Sequence, residues 1–199
     1  MNRAKLAREM LPIGGIGRLS TGWWGMLCLL ATEGILFGYL LFSYGYLGSQ
    51  AGGEWPPGGP PSLRLALPNT ILLIASSVVL EVGSWRHRAG RLKSMLPVLL
   101  LTALMGAAFV LVQISEWSNK TFTFSSNAYG GAYFLLTGFH LAHVVAGLVA
   151  LLALAVWAWQ RRLPPGGRLP LALGRIYWHF VDAVWLAVFT TIYVVPQQP

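Results

Sequence analysis

Five ionisable side chains stand inside long apolar stretches of this sequence: Glu33, His140, His143, His179 and Asp182. A charged group near the centre of a bilayer costs roughly 2.5–3.5 kcal/mol on insertion scales, so such residues are rarely accidental. Their types suit proton transfer, metal ligation or a buried hydrogen-bond network. A hydrolytic triad is not indicated, because no serine stands at a spacing that suggests an activated nucleophile.

Glu33 lies well inside the first apolar stretch and is followed by Gly34 and Gly38. Small residues four apart allow another helix to approach closely. Two interpretations remain open for the carboxyl group. It is either a proton relay or coupling group, as in a transporter, or a buried hydrogen-bonding group that fixes the register of two helices.

The histidines follow a helical spacing. His140 and His143 are three residues apart and therefore share one face of a helix. Two imidazoles at this spacing could bind one metal ion, but stacked b haems need histidine pairs on facing helices. His179 and Asp182 repeat the spacing, so the imidazole could donate to the carboxylate across one turn. We predict a buried polar network for all four residues rather than a haem or metal site.

Four further polar residues stand near the ends of apolar stretches. Asn69 lies just inside the second stretch and is predicted to bond across helices. Glu81 can reach the basic loop that follows it, which predicts an ion pair at the membrane surface. Gln113 and Glu116 end the third stretch and are predicted to lie at the opposite surface.

The composition is that of a membrane protein. Of the 199 residues, 55% are hydrophobic and 10% are charged, whereas a soluble domain is about 25% charged. The net charge of +8 comes from basic residues in short loops, which argues against a nucleic-acid partner. Cys28 is the single cysteine, so the sequence offers no disulfide framework, no thiol metal cluster and no Cys-x-x-Cys-His motif for covalent haem.

Five apolar stretches are long enough to cross a membrane, which takes about 20 residues in a helix. Because helices satisfy their own backbone in lipid, we predict an all-α integral membrane bundle of five transmembrane helices. The predicted spans are residues 22–47, 66–86, 95–116, 129–159 and 174–195, all in one domain over 22–195. A segment over 1–21 precedes it and a tail over 196–199 follows. The first span is too long for a signal peptide's apolar core and is predicted to be an uncleaved anchor.

The basic residues predict the orientation. Twelve of the 14 lysines and arginines lie before the first span or around the second-to-third and fourth-to-fifth loops. Arg64 and Lys120 are the two on the other side. The positive-inside rule then places the amino terminus in the cytoplasm and the carboxyl terminus outside. We expect a multi-pass protein of a bacterial inner membrane.

Several strings together match one family. Residues 137–144 read Thr-Gly-Phe-His-Leu-Ala-His-Val, similar to a TGFHxxHVxxG signature, and residues 177–185 match a YWHFVDxVW signature. Weaker matches lie around Glu33 and at residues 55–57, 67–70 and 113–117. They are collinear over residues 23–195, and in this order the chain resembles subunit III of the haem-copper terminal oxidases, cytochrome c or quinol oxidases. Many relatives have seven helices; this chain matches the last five, as in shorter bacterial forms.

The resemblance implies a non-catalytic accessory subunit of a proton-pumping oxidase in aerobic respiration. Such a subunit stabilises the catalytic subunit I and supports its proton uptake. It has no catalytic residues and no cofactor of its own; haem and copper are expected in partner subunits. Subunit I, subunit II and membrane lipids are the implied partners. Glu33, Asn69, His140, His143, His179 and Asp182 would belong to its polar interior.

Two other function classes are compatible with the same residues. A small proton-coupled transporter would use Glu33 as its coupling site and would form a homo-oligomer with substrate-dependent proton flux. A b-type cytochrome would use the histidines as haem ligands and would show a Soret band. The electron donor, cytochrome c or quinol, is not indicated by the sequence.

Overall fold

The computed structural model of the protein describes residues 21–52, 55–89, 94–160 and 168–197, and in these ranges all regular structure is helical. Five helices are long and apolar enough to cross a membrane, as predicted. The helices are α1 (Thr21–Gln50), α2 (Leu63–Arg88), α3 (Leu96–Ser118), α4 (Ala128–Trp159) and α5 (Arg168–Phe189). A π-helical turn at Thr190–Val194 and a 3-10 turn at Val195–Gln197 extend α5.

The helix ends have local causes. α2 begins at Leu63 because the Ser62 hydroxyl accepts a hydrogen bond from the Arg64 backbone N–H at 3.3 Å. Asn127 starts α4 in the same way, since its side-chain oxygen accepts from the Gly130 N–H at 2.7 Å. α5 begins at Arg168 rather than near residue 174. The predicted segment before α1 lies outside the described residues, apart from Thr21 at the start of that helix, and so do residues 198–199.

α4 and α5 form the centre of the bundle. α4 packs against α1, α3 and α5, and α2 packs against α3 and α5. α1 lies at the edge, where it touches α4 and α5 and buries only Phe37, Leu40 and Tyr44. Its outward side chains are apolar, with Ile35 73% and Phe42 69% exposed. Such a surface suits lipid rather than water.

A single tryptophan fills the middle of the bundle. Trp178 on α5 is fully buried, and its indole N–H donates to the Ser76 hydroxyl of α2 at 3.0 Å. The ring lies against Gly106 of α3 and Gly147 of α4, where an added Cβ would come within 2.6 Å and 2.9 Å of it. Glycine at these two positions therefore makes the space that the indole occupies, and four helices meet around one side chain.

Candidate functional site in the polar interior

The structure brings Glu33 of α1 and His143 of α4 together. Glu33 Oε2 lies 3.0 Å from His143 Nε2, and the two side chains are 25% and 15% exposed. The ring of Phe37 packs edge-on against the imidazole, with centroids 4.9 Å apart. The carboxyl and the imidazole thus form a partly buried pair that joins the edge helix to the central one.

The second ring nitrogen of His143 shows how this pair can carry a proton. Nδ1 lies 2.7 Å from the Phe139 carbonyl oxygen, which can only accept, so Nδ1 carries a hydrogen. Nε2 of a neutral ring is then an acceptor, and a bond to Glu33 requires a proton on the carboxyl or on Nε2. The geometry of the contact thus suits one proton between the two groups, placed either on the carboxyl or on Nε2.

α5 also contacts this pair. The Tyr177 hydroxyl donates to the His143 backbone oxygen at 3.3 Å. The ring of Phe180 on α5 lies beside Gly34, where an added Cβ would meet it at 3.9 Å, an ordinary van der Waals distance. Three helices consequently meet at the Glu33–His143 pair. Chemically, this arrangement places a carboxyl and an imidazole at hydrogen-bond distance inside the membrane-spanning part of the chain.

His140 faces a different part of the bundle. Its ring is completely buried and stacks on Trp185 of α5, with centroids 4.8 Å apart and planes at 29°. The edge of Phe109 of α3 approaches the same ring at 5.9 Å. Neither ring nitrogen has a hydrogen-bond partner among the described residues. The predicted polar network is therefore replaced at His140 by aromatic packing.

The two α4 histidines do not converge on a common ligand. Within the described ranges, no group of three or more His, Cys, Asp or Glu side chains is placed to hold a metal ion. His143 also has both ring nitrogens engaged, one by Phe139 and one by Glu33. The arrangement favours a proton-holding or structural role for this histidine over metal ligation.

Asn69 ties α2 to α3. It is buried, and its amide donates to the Phe109 carbonyl oxygen at 3.2 Å, the cross-helix type of bond that the sequence predicts. Its neighbour Thr70 accepts a hydrogen bond from the Trp185 indole at 2.9 Å, which links α2 to α5. This polar layer positions Phe109 and Trp185, the two rings that enclose His140.

The expected hydrogen bond between His179 and Asp182 does not form. His179 Nε2 lies 3.3 Å from Glu81 Oε2 on α2, and Arg175 contacts both oxygens of the same carboxylate at 2.8 and 2.9 Å. Asp182 is buried beside Ser77, and its Oδ1 has no partner among the described residues. The His179 imidazole thus contacts Glu81 of α2, whose carboxylate also pairs with Arg175. The local contact with Asp182, three residues further along α5, is not made.

Glu81 forms the ion pair that its position predicts. Besides Arg175 and His179, Arg88 lies 3.5 Å from its Oε1. The cluster joins the end of α2 to the beginning of α5. Its side chains are 20–44% exposed, so it belongs to the surface of the bundle rather than to its centre.

Gln113 and Glu116, which were expected near the membrane surface, lie close to the end of α3 and are buried within the bundle. Glu116 Oε1 accepts from Lys120 at 2.8 Å and from the Tyr193 hydroxyl at 2.7 Å. The hydroxyls of Tyr193 and Tyr133 are 3.0 Å apart. Tyr133 and Tyr193, together with Lys120, cover the end of α3, so both side chains lie inside the bundle at that end of the helix.

Two contacts of Glu116, with Lys120 and with Tyr193, were not predicted from the sequence. Lys120 had a visible signal, since it stands four residues after Glu116, the favoured order for a helical ion pair. Tyr193 had none, because its hydroxyl reaches Glu116 only through the packing of the turn after α5 on α3. Such contacts depend on helix order and rotation.

Known proteins match this chain along most of its length. A family model described as cytochrome c oxidase subunit III matches residues 19–196. The probable cytochrome c oxidase subunit 3 of Mycobacterium tuberculosis (strain ATCC 25618 / H37Rv) is 37% identical over 177 residues, 86% of each chain. Cytochrome c oxidase subunit 3 of Thermostichus vulcanus is 32% identical over 179 residues, 87% of each chain.

A longer relative matches as well. Cytochrome c oxidase subunit 3 of Papio hamadryas is 34% identical over 181 residues, 85% of this chain and 68% of that one. The bundle, the polar interior built from the signature residues and these matches lead to one assignment: the chain belongs to the cytochrome c oxidase subunit III family.

Proposed function

We propose that this chain is the non-catalytic subunit III of a proton-pumping haem-copper oxidase that reduces oxygen to water. In this role it stabilises subunit I and supports its proton uptake, while haem and copper lie in partner subunits. The family and the names of its relatives support membership of an oxidase complex. Subunit I is the proposed direct partner, with subunit II in the same complex.

The Glu33–His143 pair is the observation that carries the proton-uptake role. Oε2 and Nε2 are 3.0 Å apart, so one proton shared between them can sit on either atom. A hydrogen bond between these two atoms requires a proton on one of them, because two lone pairs that face each other do not attract. Beside a subunit that consumes protons, such a pair would act as a local proton store. The next proton is then available to subunit I sooner.

The experiment compares two substitutions of Glu33 in the purified complex. Glu33→Gln keeps a donor for His143 Nε2 but removes the exchangeable carboxyl proton, whereas Glu33→Ala removes the contact altogether. We expect both variants to assemble with normal haem content and to lose activity several-fold faster during turnover. Thr32→Ala is the matched control, because within the described residues the Thr32 hydroxyl bonds only to the Leu29 backbone of its own helix.

The outcomes separate a proton role from a packing role. Faster inactivation of Glu33→Gln supports proton storage. A normal turnover lifetime for Glu33→Gln, with a shortened one for Glu33→Ala, would mean that the contact matters only for helix packing. Normal lifetimes for both variants would remove the carboxyl group from the proposal.

The transporter alternative gains no support from the comparisons. Mild detergent purification of the tagged chain tests it directly. Co-purification with haem-bearing polypeptides supports the oxidase role, and recovery as a homo-oligomer with substrate-dependent proton flux contradicts it. An optical spectrum of the isolated chain tests the b-type cytochrome, which would show a Soret band.

We also propose a bacterial inner-membrane location with the amino terminus in the cytoplasm. Arg86, Arg88 and Arg175 lie where the end of α2 meets the beginning of α5, whereas Lys120 lies beyond the other end of the bundle. The positive-inside rule then assigns the arginine end to the cytoplasm. An impermeant maleimide should label Ser125→Cys, in a Cys28→Ser background, from the outside; labelling from the cytoplasm would reverse the orientation.

A further inference from the structure

Tyr177 stands where three helices meet around the Glu33–His143 pair. It lies on α5, and its hydroxyl donates to the His143 backbone oxygen of α4 at 3.3 Å. The Glu33 carboxyl of α1 lies within electrostatic range of the same hydroxyl. Tyr177 therefore reaches both members of the pair from a helix that carries neither of them.

A glycine on α4 allows this close approach. An added Cβ at Gly147 would lie 3.3 Å from Tyr177 Cε1 and 2.9 Å from the Trp178 ring. Gly147 is four residues after His143, so its N–H is the helical partner of the His143 oxygen. A carbonyl oxygen has two lone pairs, and the Tyr177 hydroxyl can use the second one without breaking the helix. The contact between α4 and α5 is thus built on the residue that faces α1.

The two central helices hold His143 at its ring and at its backbone. Its Nδ1 lies 2.7 Å from the Phe139 carbonyl oxygen, and its backbone oxygen accepts from Tyr177. The Phe37 ring of α1 packs edge-on against the imidazole at 4.9 Å. α1 packs on both α4 and α5. A hydrogen bond that fixes α4 on α5 therefore also fixes His143 Nε2 against the Glu33 carboxyl.

The polar groups in the rest of the α5 string, residues 178–185, face α2. His179 contacts Glu81, and Asp182 is buried against the same helix. Both indole N–H groups of this stretch donate to hydroxyls of α2. Tyr177 is thus the residue through which this string acts on α1 and α4 in the described part of the chain.

We propose that Tyr177 is a positioning residue for the Glu33–His143 pair, because its hydroxyl aligns the imidazole and adds a polar group beside the carboxyl. The consequence for turnover rests on the proposed proton-storing function, whereas the effect on the pair itself does not. Loss of one neutral hydrogen bond changes the equilibrium between bonded and unbonded geometry by about two- to tenfold. Tyr177→Phe should therefore loosen the pair while its ring still fills the space beside Gly147.

Infrared spectroscopy of the tagged full-length chain, with its co-purifying polypeptides, tests the effect on the pair. The Glu33 carboxyl bands are identified as those lost in Glu33→Gln. They should shift in Tyr177→Phe, because the variant changes both the polarity beside the carboxyl and the alignment of the imidazole. Tyr39→Phe is the matched control, since it removes the same hydroxyl from an α1 side chain that is 66% exposed, and it should leave these bands in place.

A reciprocal measurement leaves Tyr177 unchanged. The tyrosines are isotopically labelled at the phenol carbon, and their C–O bands are compared between variants of α1. Glu33→Gln should shift a tyrosine band, whereas Thr32→Ala should not. Unshifted Glu33 bands in Tyr177→Phe, an equal shift in Tyr39→Phe, or unshifted tyrosine bands in Glu33→Gln would each overturn the proposal.

Turnover separates this proposal from the proposed function. Tyr177→Phe should lose activity about two- to tenfold faster than the wild type, but it should add nothing in a Glu33→Gln background. An equal effect in both backgrounds would mean that Tyr177 acts through packing alone and would overturn the proposal. A normal lifetime of Glu33→Gln would contradict the proton-storing function, while the infrared bands still decide whether Tyr177 positions the pair.

Discussion

The sharpest test of the bundle concerns the glycines that face Trp178. Alanine at position 106 would place a methyl group 2.6 Å from the indole Cη2 atom and 2.9 Å from Leu148. The ring cannot swing away freely, because its N–H is bonded to Ser76 and Gly147 lies against its other edge. Overpacking of this kind costs about 1–3 kcal/mol, a fivefold to 150-fold change in the folding equilibrium.

A control glycine isolates that cost. Gly38 on α1 has no atom within 4 Å of an added Cβ. Gly38→Ala therefore changes helix propensity without a clash, a gain of about 0.5–1 kcal/mol in water. The difference between Gly106→Ala and Gly38→Ala should accordingly be about 1–3 kcal/mol of lost stability. Tryptophan fluorescence during titration with sodium dodecyl sulfate in mixed micelles measures it.

A double-mutant cycle identifies the atom responsible. Trp178→Phe removes the indole atoms that the new methyl group would meet. The cost of Gly106→Ala should then fall by at least about 0.5 kcal/mol in the Trp178→Phe background. An equal cost in both backgrounds, or a Gly106→Ala variant as stable as Gly38→Ala, would refute the packing argument.

Three further substitutions test contacts of graded burial in the same unfolding assay. Ser76→Ala leaves a buried indole N–H unpaired and should cost about 1–3 kcal/mol; a loss below about 0.5 kcal/mol would contradict that. Glu116→Gln leaves the Lys120 ammonium without its carboxylate and should cost about 3–5 kcal/mol, whereas adding Lys120→Met should recover part of the loss. Arg175→Gln removes a partly exposed ion pair and should cost at most about 1 kcal/mol of stability. A loss as large as that of Glu116→Gln would show that the stability lost with an ion pair does not depend on its exposure.

The number of helices could be predicted from the sequence, because each of the five apolar stretches is long enough to cross a membrane. Their α-helical form could be predicted as well, because a helix satisfies its own backbone hydrogen bonds in lipid. The start of α5 was placed too late, although Pro170 offered a signal. Proline is favourable in the first turn of a helix, where its missing N–H has no partner to lose. The π-helical turn at Thr190–Val194 had no comparable signal.

Side-chain partners were harder to predict than helices. Glu33 and His143 were both identified as intramembrane polar residues, but their contact joins positions 110 residues apart. It depends on which helices are neighbours and how each is rotated, and a single sequence does not specify either. Asn69 was easier, since a buried amide in lipid must find some backbone or side-chain partner.

The spacing of His140 and His143 explains why a shared helix face did not mean a shared site. Residues three apart on an α-helix are separated by about 60° around its axis. On an edge helix both would face the same neighbour, but α4 has neighbours on three sides. Sixty degrees is then enough to direct His140 between Phe109 and Trp185 and His143 towards Glu33. The signature string therefore specifies two contacts of the central helix, one aromatic and one with the Glu33 carboxyl group, and the two histidines need not act together.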